Sequence, residues 1–336
     1  MSGAFELLRL THRRHALILT YHRFSSGDES GRAGAQAGRK TSAVNFAEQL
    51  EYLTKRYKIV PLSQIAESII CREQSPPGLA AITIDDGYRD AYEIAYPLLR
   101  RANAPATLFV PSDFIDRRVW IWTDKTRFLT GQAVSQQFTM DLGGRRLRVE
   151  LNGAASRQDA SERINSTLKQ LPEEIKEEAI ERFASAVGVV LPEKPPDEFS
   201  PITWAEAREM QASGIEIGSH TLTHPILTGI GDERLRRELQ ESRSRLEEVL
   251  GRRIEQFCYP NGDHDERAQR EVARAGYRIA VTCVSGLNKK GDDPLRLRRI
   301  HTEPDLTRFA QSASGFEELK SKARRMAAVS GRDLES

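Results

Sequence analysis

The 336-residue sequence has few cysteines, no long apolar run and no excess of charge of one sign. Its three cysteines, Cys71, Cys258 and Cys283, are irregularly spaced and include no Cys-x-x-Cys pair. This usage excludes a disulfide framework and a zinc knuckle. A reducing compartment is the simplest environment for such a chain.

The charge and the apolar runs argue against two further classes of protein, those that bind nucleic acid and those that span a membrane. The formal net charge is +2, from 50 basic and 48 acidic residues, which argues against nucleic-acid binding through bulk charge. No apolar window reaches membrane-spanning length. The short run "ALILTY" is followed by His and Arg rather than by a signal-peptide cleavage site. We therefore expect a cytoplasmic protein with no membrane span and no nucleic-acid partner.

Apolar runs and helical patterns alternate along most of the chain. Runs such as "LAAITIDD" and "APATLFVP" are continuously apolar, which is typical of strands covered on both faces. About seven strand–helix units predict an α/β fold of the distorted (β/α)7-barrel type, with a doubly wound open sheet as the alternative. The stretch 25–43, rich in Gly, Ser and Ala, predicts a long flexible loop after the first strand.

The alternation stops between residues 115 and 200. This stretch predicts a helix anchored by Trp120 and Trp122, a hairpin around Gly143-Gly144, and two polar helices joined near Pro172. The two tryptophans could stack on sugars, but burial is the commoner use of large aromatic side chains. The predicted units are 1–114 (first part of the barrel), 115–200 (an inserted α+β subdomain), 201–310 (second part of the barrel) and 311–336 (C-terminal helix and polar tail).

Polar residues cluster where the predicted strands end, the edge at which parallel α/β folds place functional side chains. These clusters are "TYH" at 20–22, "IDDG" at 84–87, "GSHTLTHP" at 218–225, "CYPNGDHD" at 258–265 and "RRIH" at 298–301. The two histidines of "HTLTH" can face one point from a tight loop, and imidazole with carboxylate suits zinc and similar ions. "DDG" alone is a common helix-capping turn. The joint occurrence at the strand ends of one series favours a metal site.

In these motifs the sequence resembles the polysaccharide deacetylases, that is, carbohydrate esterase family 4 or the NodB-homology domain. The resemblance covers roughly residues 16–114 and 200–305. The opening "LTYHRF" and the aromatic insertion resemble exopolysaccharide-associated bacterial members. The matching motifs are "TIDDG" (Thr83 to Gly87), "HTLTH" (His220 to His224) and, more loosely, "FCYPNG" (Phe257 to Gly262).

The resemblance implies a barrel of about seven β/α units and a hydrolase that removes N-acetyl groups from an N-acetylhexosamine-containing polysaccharide or oligosaccharide. It implies a divalent metal ion, zinc, held by Asp86, His220 and His224. It further implies that Asp85 is the base acting on metal-bound water, which attacks the acetyl carbonyl. An acetylated glycan is then the expected partner, and the oligomeric state stays open.

Five more residues enter through the same resemblance. His301 is implied as the acid for the leaving amine, with His264 as the second candidate. Tyr259, Asn261 and His22 are implied as substrate-binding residues, and a backbone N–H near Asn261 is expected to help hold the oxyanion. A structural hydrogen bond is the alternative role for His22.

The sequence departs from the family pattern in the third motif, where an arginine often orients the base. With Phe257 and Gly262 aligned, that position holds Cys258, so the sequence does not show what steadies Asp85. Two alternative functions stay open. One is an O-acetyl esterase or other amide hydrolase on the same site, and the other is a catalytically weak glycan-binding homologue.

Overall fold

The computed structural model describes residues 3–27, 40–70 and 76–316. Most of the predicted loop at 25–43, Cys71 and the predicted tail beyond residue 316 lie outside these ranges. Within the described residues, no helix has both the length and the apolar character needed to cross a membrane.

The described chain alternates strands and helices. In chain order, the strands are β1 (Leu17–Tyr21), β2 (Phe24–Ser25), β3 (Thr41–Ser42), β4 (Lys58–Ile59), β5 (Leu79–Ile84), β6 (Thr107–Val110), β7 (Gln137–Leu142), β8 (Arg145–Glu150), β9 (Glu216–Ser219), β10 (Gln256–Cys258), β11 (Ile279–Val281) and β12 (Ile300–His301). The helices are α1 (Gly3–Thr11), α2 (Ala43–Arg56), α3 (Leu62–Ile70), α4 (Tyr96–Arg101), α5 (Ser112–Ile115), α6 (Trp122–Gln132), α7 (Ala154–Leu168), α8 (Glu173–Val187), α9 (Trp204–Ala212), α10 (Asp232–Leu250), α11 (Glu266–Arg274) and α12 (Leu306–Ala313).

The main sheet is parallel and curls into an almost closed ring. Its strands follow the order β11-β10-β9-β6-β5-β1-β12, and β4 pairs with β5 beside this path. A single parallel bridge between Val281 and Leu297 joins β11 to the segment just before β12. The ring of seven strands confirms the predicted distorted (β/α)7 barrel over the doubly wound sheet.

The strand ends bring the polar clusters to one edge of the ring. Every residue of β5 is buried, as its continuous apolar run predicts for a strand covered on both faces. Because the strands are parallel, the residues after β1, β5, β9, β10 and β12 all emerge at their carboxyl ends. The helices follow local signals, such as the capping box of Thr203 and Glu206 at the start of α9.

The stretch between α5 and α9 packs around a hydrophobic cluster of its own. Strands β7 and β8 form the expected hairpin, with Gly143 and Gly144 at positive φ in the turn. Buried residues of α6, α7, α8 and the hairpin form the cluster, including Leu129, Ile180 and Phe183. The boundaries at 115 and 200 stay a prediction.

The two tryptophans of this stretch are buried rather than presented to solvent. Trp120 is 7% exposed and Trp122 is 8% exposed. The Trp120 ring lies against Phe128 and Phe199, and the Lys176 ammonium covers the Trp122 ring. Burial, which the sequence favours over sugar stacking as the use of these two side chains, is therefore observed.

Candidate active site

Three side chains predicted as metal ligands meet at the carboxyl edge of the ring. The Nε2 atoms of His220 and His224 lie 3.2 Å apart, and each lies 3.4 Å from Oδ1 of Asp86. Ligands bound tetrahedrally to zinc at about 2.0–2.2 Å are separated by about 3.3–3.6 Å. The three donor atoms therefore have the spacing that a zinc-sized ion requires.

The protonation pattern of the trio also fits a cation. Nδ1 of His220 lies 2.7 Å from the Cys258 carbonyl oxygen, so this nitrogen carries the proton and Nε2 offers a lone pair. Burial alone would raise the pKa of Asp86, but hydrogen bonds from His220 and His224 hold it well below its usual value. Burial lowers the pKa of His224, which favours the neutral, ligating form.

The backbone around this trio is unusual. Four non-glycine residues of the site have φ values in the left-handed region: Asp86 (73°), Thr221 (71°), His224 (64°) and Asn261 (59°). Such conformations cost about 1–3 kcal/mol each and concentrate at functional sites. At Asp86 the turn out of strand geometry lets Asp85 and Asp86 reach the same edge, although neighbours on a strand point to opposite faces.

Gly87 is required by the same turn. Its φ is +72°, and a Cβ at this position would lie 2.7 Å from Cγ1 of Val110. Any side chain there would meet both backbone strain and a steric clash. The conformation of this turn therefore requires glycine at position 87, directly after the two aspartates.

The loop that carries the two histidines is held by Glu238 of α10. Its carboxylate accepts hydrogen bonds from the backbone N–H groups of Leu222 (3.0 Å) and Thr223 (2.9 Å), and from the Thr223 hydroxyl (2.5 Å). Burial raises the pKa of Glu238. These contacts fix the loop between His220 and His224.

Asp85 forms a buried, bidentate ion pair with Arg299. Nη1 of Arg299 donates to Oδ1 of Asp85 and Nη2 donates to Oδ2, both at 2.7 Å. Burial would raise the pKa of Asp85, but the Arg299 charge outweighs it and lowers the pKa to about 2. Arg299 itself is 0% exposed and is further held by the Thr282 carbonyl oxygen at 2.8 Å.

In many family members an arginine of the third motif orients the base, and this chain has Cys258 at that position. Arg299 makes the corresponding contact with Asp85 here. The Cys258 sulfur lies 3.3 Å from Nη2 of Arg299. Sequence reasoning missed Arg299, which lies directly before β12 and two residues before His301.

Asp85, His220 and Cys258 form a second group with metal-ligand spacing. This group does not fit a cation, because the Arg299 guanidinium already pairs with Asp85 and contacts the Cys258 sulfur. Burial also raises the pKa of Cys258 well above its usual value, whereas a metal needs the thiolate. The trio with Asp86 is the better candidate.

Two of the remaining predicted site residues lie beside a cavity. His22 and His301 line this cavity, which has a volume of about 330 Å³, together with Asp86 and Arg127. Nε2 of His22 lies 3.6 Å from Oδ2 of Asp85. Burial and the Arg299 charge lower the pKa of His301.

The third motif forms a turn after β10. Asn261 is exposed on this turn, and His264 contacts the Gly262 carbonyl oxygen through Nδ1 at 3.0 Å. The Tyr259 side chain is 0% exposed, and its hydroxyl donates to the Leu295 carbonyl oxygen at 3.0 Å. Its N–H donates to Val281 at 3.2 Å, so Tyr259 supports the turn from the core and offers substrate neither donor.

The ring and its edge define an α/β barrel with a candidate metal site at the carboxyl ends of its strands. The chain belongs to the polysaccharide deacetylase family, whose model matches residues 72–280, more than half of the sequence. Enzymes of this family are hydrolases that cleave the amide bond of N-acetyl groups.

Several solved deacetylase structures share the fold. Streptococcus pyogenes PplD, solved with acetate, is 18% identical with a TM-score of 0.58, covering 87% of this chain and 94% of that one. IcaB from Ammonifex degensii is 20% identical with a TM-score of 0.58, covering 89% and 97%. The BpsB deacetylase domain from Bordetella bronchiseptica is 17% identical with a TM-score of 0.51, covering 86% and 96%.

A curated relative is YxkH of Bacillus subtilis (strain 168), whose name assigns it to the polysaccharide deacetylases provisionally. It is 25% identical over 112 residues, which is 33% of this chain. The match spans 40% of the length of that relative.

Proposed function

We propose that this protein removes N-acetyl groups from a polysaccharide or oligosaccharide that contains N-acetylhexosamine. The observation that carries the proposal is the pairing of two features at one edge of the ring. One is the three-ligand group of Asp86, His220 and His224, and the other is the carboxylate of Asp85 held by Arg299. Deacetylation is also the activity named for the structural relatives PplD and BpsB.

The trio would hold a divalent ion, zinc in our proposal, and leave positions open beside it. Such an ion polarises a carbonyl and lowers the pKa of water, which favours attack on an amide. Metal ligation needs neutral imidazoles and a charged carboxylate. The lowered pKa values of His224 and Asp86 supply both.

Asp85 would take the proton of the attacking water. In a fully buried site its carboxyl group would tend to stay protonated and could not accept a proton. The Arg299 charge keeps it ionised, and the bidentate contact fixes the direction of its lone pairs. Arg299 is therefore a positioning residue for the base.

The leaving amine must receive a proton, and two imidazoles face the same cavity. His301 is our proposed acid. His22 is the second candidate, because it lines the same cavity and its Nε2 atom lies 3.6 Å from Oδ2 of Asp85. A backbone N–H of the turn at Asn261 would stabilise the developing oxyanion.

The test is acetate release from N-acetylglucosamine oligosaccharides before and after chelator treatment, with zinc restored afterwards. We expect activity to disappear with the metal and return with it, and Asp85→Asn to be inactive. Asp159→Asn, on the exposed face of α7, is the matched control. Release that is insensitive both to chelation and to Asp85→Asn would refute the proposal.

The same assay separates the alternatives. Acetylxylan in parallel shows whether O-acetyl esters are preferred. A wild-type protein that binds glycan but releases no acetate would instead be a binding homologue. Action in the cytoplasm, on a soluble or lipid-linked precursor, stays a prediction.

A further inference from the structure

One side chain from the stretch between α5 and α9 lies beside the proposed metal site. We call the cavity lined by Asp86, His22 and His301 the catalytic cavity. Its volume of about 330 Å³ lies within the range of small-molecule sites, about 300–1,000 Å³. Arg127 of α6 lines the catalytic cavity as well. Within the described residues, the stretch between α5 and α9 contributes this single guanidinium group to the lining.

A hydrogen-bonded network holds Arg127 in place. Its Nη1 atom donates to Oδ1 of Asp124 at 2.8 Å, and Asp124 is buried. The other carboxylate oxygen of Asp124 accepts from the Tyr88 hydroxyl at 2.5 Å. Because Tyr88 directly follows Gly87 in the sequence, the network joins Arg127 to the turn that carries Asp86. The guanidinium group therefore has a fixed position relative to the proposed metal site.

Two donor nitrogens of Arg127 take no part in this network. Nε and Nη2 make no hydrogen bond within the described parts of the chain, and the side chain is 27% exposed. Arg299 differs in both respects, because its side chain is 0% exposed and its Nε, Nη1 and Nη2 atoms all donate within the protein. A guanidinium group with accessible, unused donors is suited to bind oxygen atoms of a ligand.

The proposed metal ligands and base act on the acetyl group alone. Attack of water on the acetyl carbonyl breaks the bond between that carbon and the amide nitrogen, and it releases acetate and a free amine. No step of this chemistry requires a sugar, so recognition of the sugar depends on other side chains of the catalytic cavity. Arg127 meets this requirement, because it lines the cavity with Asp86 and belongs neither to the ligand trio nor to the ion pair of Asp85.

We propose that Arg127 donates from Nε and Nη2 to hydroxyl or ring oxygens of the sugar whose acetyl group lies at the proposed metal site. This inference rests on the proposed function and adds the residue that selects an acetylated sugar over other acetyl compounds. The expected acceptors are uncharged, because Asp124 already balances the charge of Arg127. Asp124 and Tyr88, each 1% exposed, are positioning residues that hold the guanidinium group.

The test compares an N-acetylglucosamine tetrasaccharide with p-nitrophenyl acetate, an acetyl ester without a sugar. In Arg127→Gln we expect kcat/KM for the tetrasaccharide to fall about 10- to 100-fold, mainly through KM, because a hydrogen bond from a charged donor to the sugar is lost. The value for p-nitrophenyl acetate should stay within about twofold of the wild type. Arg127→Lys keeps a charge beside Asp124 but lacks the planar fork, so it should preserve folding and still bind the tetrasaccharide poorly. Lys125→Gln is the matched control on the same helix, since Lys125 pairs with Glu177 and does not line the catalytic cavity.

A binding experiment separates failure of this inference from failure of the proposed function. Calorimetry with Asp85→Asn and the tetrasaccharide gives a Kd, which should rise about tenfold or more when Arg127→Gln is added and stay constant when Lys125→Gln is added. Such weakening, together with a wild-type protein that releases no acetate, would sustain the inference and overturn the function. An unchanged Kd and KM in Arg127→Gln, with deacetylation intact, would overturn the inference alone. Equal losses on both substrates would also overturn it, because Arg127 would then only support the turn of Asp86.

Discussion

Asp85 depends on a residue 214 positions away in the chain. The carboxylate is fully buried, and burial by itself favours the neutral acid. Arg299 reverses that preference and fixes the orientation of both oxygens. Removing the arginine would leave an uncompensated buried charge, which typically costs about 3–5 kcal/mol.

We expect Arg299→Gln to lower kcat by about 10- to 100-fold, as loss of a supporting partner commonly does, and to lower the midpoint of unfolding. Arg299→Lys keeps the charge but loses the bidentate contact, so it should restore stability more than activity. Steady-state kinetics and denaturant titration measure both effects. Arg298→Gln, at the exposed neighbouring position, is the control. Unchanged kcat in Arg299→Gln would contradict the positioning role.

The pH dependence of kcat/KM distinguishes the two candidate acids. Burial and Arg299 lower the pKa of His301, so its imidazole loses the proton at a lower pH than a free histidine does. If His301 is the acid, activity falls as pH rises through this lowered pKa. His301→Gln should abolish that limb and His22→Gln should keep it. The opposite pattern would assign the acid role to His22.

The sequence reveals residues that lie together in the chain and hides those that do not. Asp85 and Asp86 are adjacent, and His220 and His224 share one loop, so short motifs identify them. Arg299 lies among several arginines in "LRLRRIH", and only the pairing of β12 with β1 carries it to Asp85.

Among the elements, the loop between β9 and α10 is held at Leu222 and Thr223 by the carboxylate of Glu238 on α10. We expect Glu238→Gln to weaken zinc binding by about tenfold or more, because the amide presents donors to groups that also donate. Competition with a chromophoric chelator measures the affinity. Glu241→Gln, on the exposed face of the same helix, should leave it unchanged. Equal zinc affinity in both variants would show that the loop does not need this clamp.

The turn after β5 gives a second prediction for an element. We expect Gly87→Ala to lower the free energy of unfolding by about 1–3 kcal/mol, because it adds strain at positive φ and a clash with Val110. In a Val110→Ala background the clash is removed and the strain stays, so the added loss should be smaller. Chemical denaturation of the four proteins measures this coupling. Equal losses in both backgrounds would mean that strain alone excludes alanine.

Element prediction succeeds where a local pattern decides the structure. The continuous apolar runs predict β5 and β6. The capping box of Thr203 and Glu206 indicates where α9 begins. The apolar periodicity of the stretch 88–103 indicates one continuous helix, yet a π-helical segment at Ala91–Ala95 precedes α4. Apolar periodicity does not distinguish these two helical forms, because their repeats differ by less than one residue per turn.

For the whole molecule, the proposed metal links two separate strand ends, those of β5 and β9. A ligand that binds only the folded state adds about 2.7 kcal/mol at a free concentration 100-fold above its Kd. We therefore expect zinc to raise the thermal midpoint of chelator-treated protein by several degrees, and His220→Ala to abolish the shift. Differential scanning calorimetry measures it. The same shift in His220→Ala would place the stabilising ion elsewhere.

The alternation of strands and helices predicted a barrel of seven strands. It did not identify the contacts that close the ring. Closure depends on the bridge between Val281 and Leu297 and on two residues of β12, too little sequence to give a pattern. The stretch between α5 and α9 was visible in the sequence only as a break in the alternation. That residues of α6 and α8 line a cavity together with His224 required the structure.

The late position of Arg299 has a consequence for biosynthesis. A ribosome synthesises Asp85 long before Arg299, so the nascent chain carries the proposed base without its partner for most of its synthesis. The carboxylate becomes competent only when β12 docks beside β1 as the final strand of the ring. Activity therefore reports that the barrel is complete, and a chain cut or stalled before Arg299 would be silent rather than partly active.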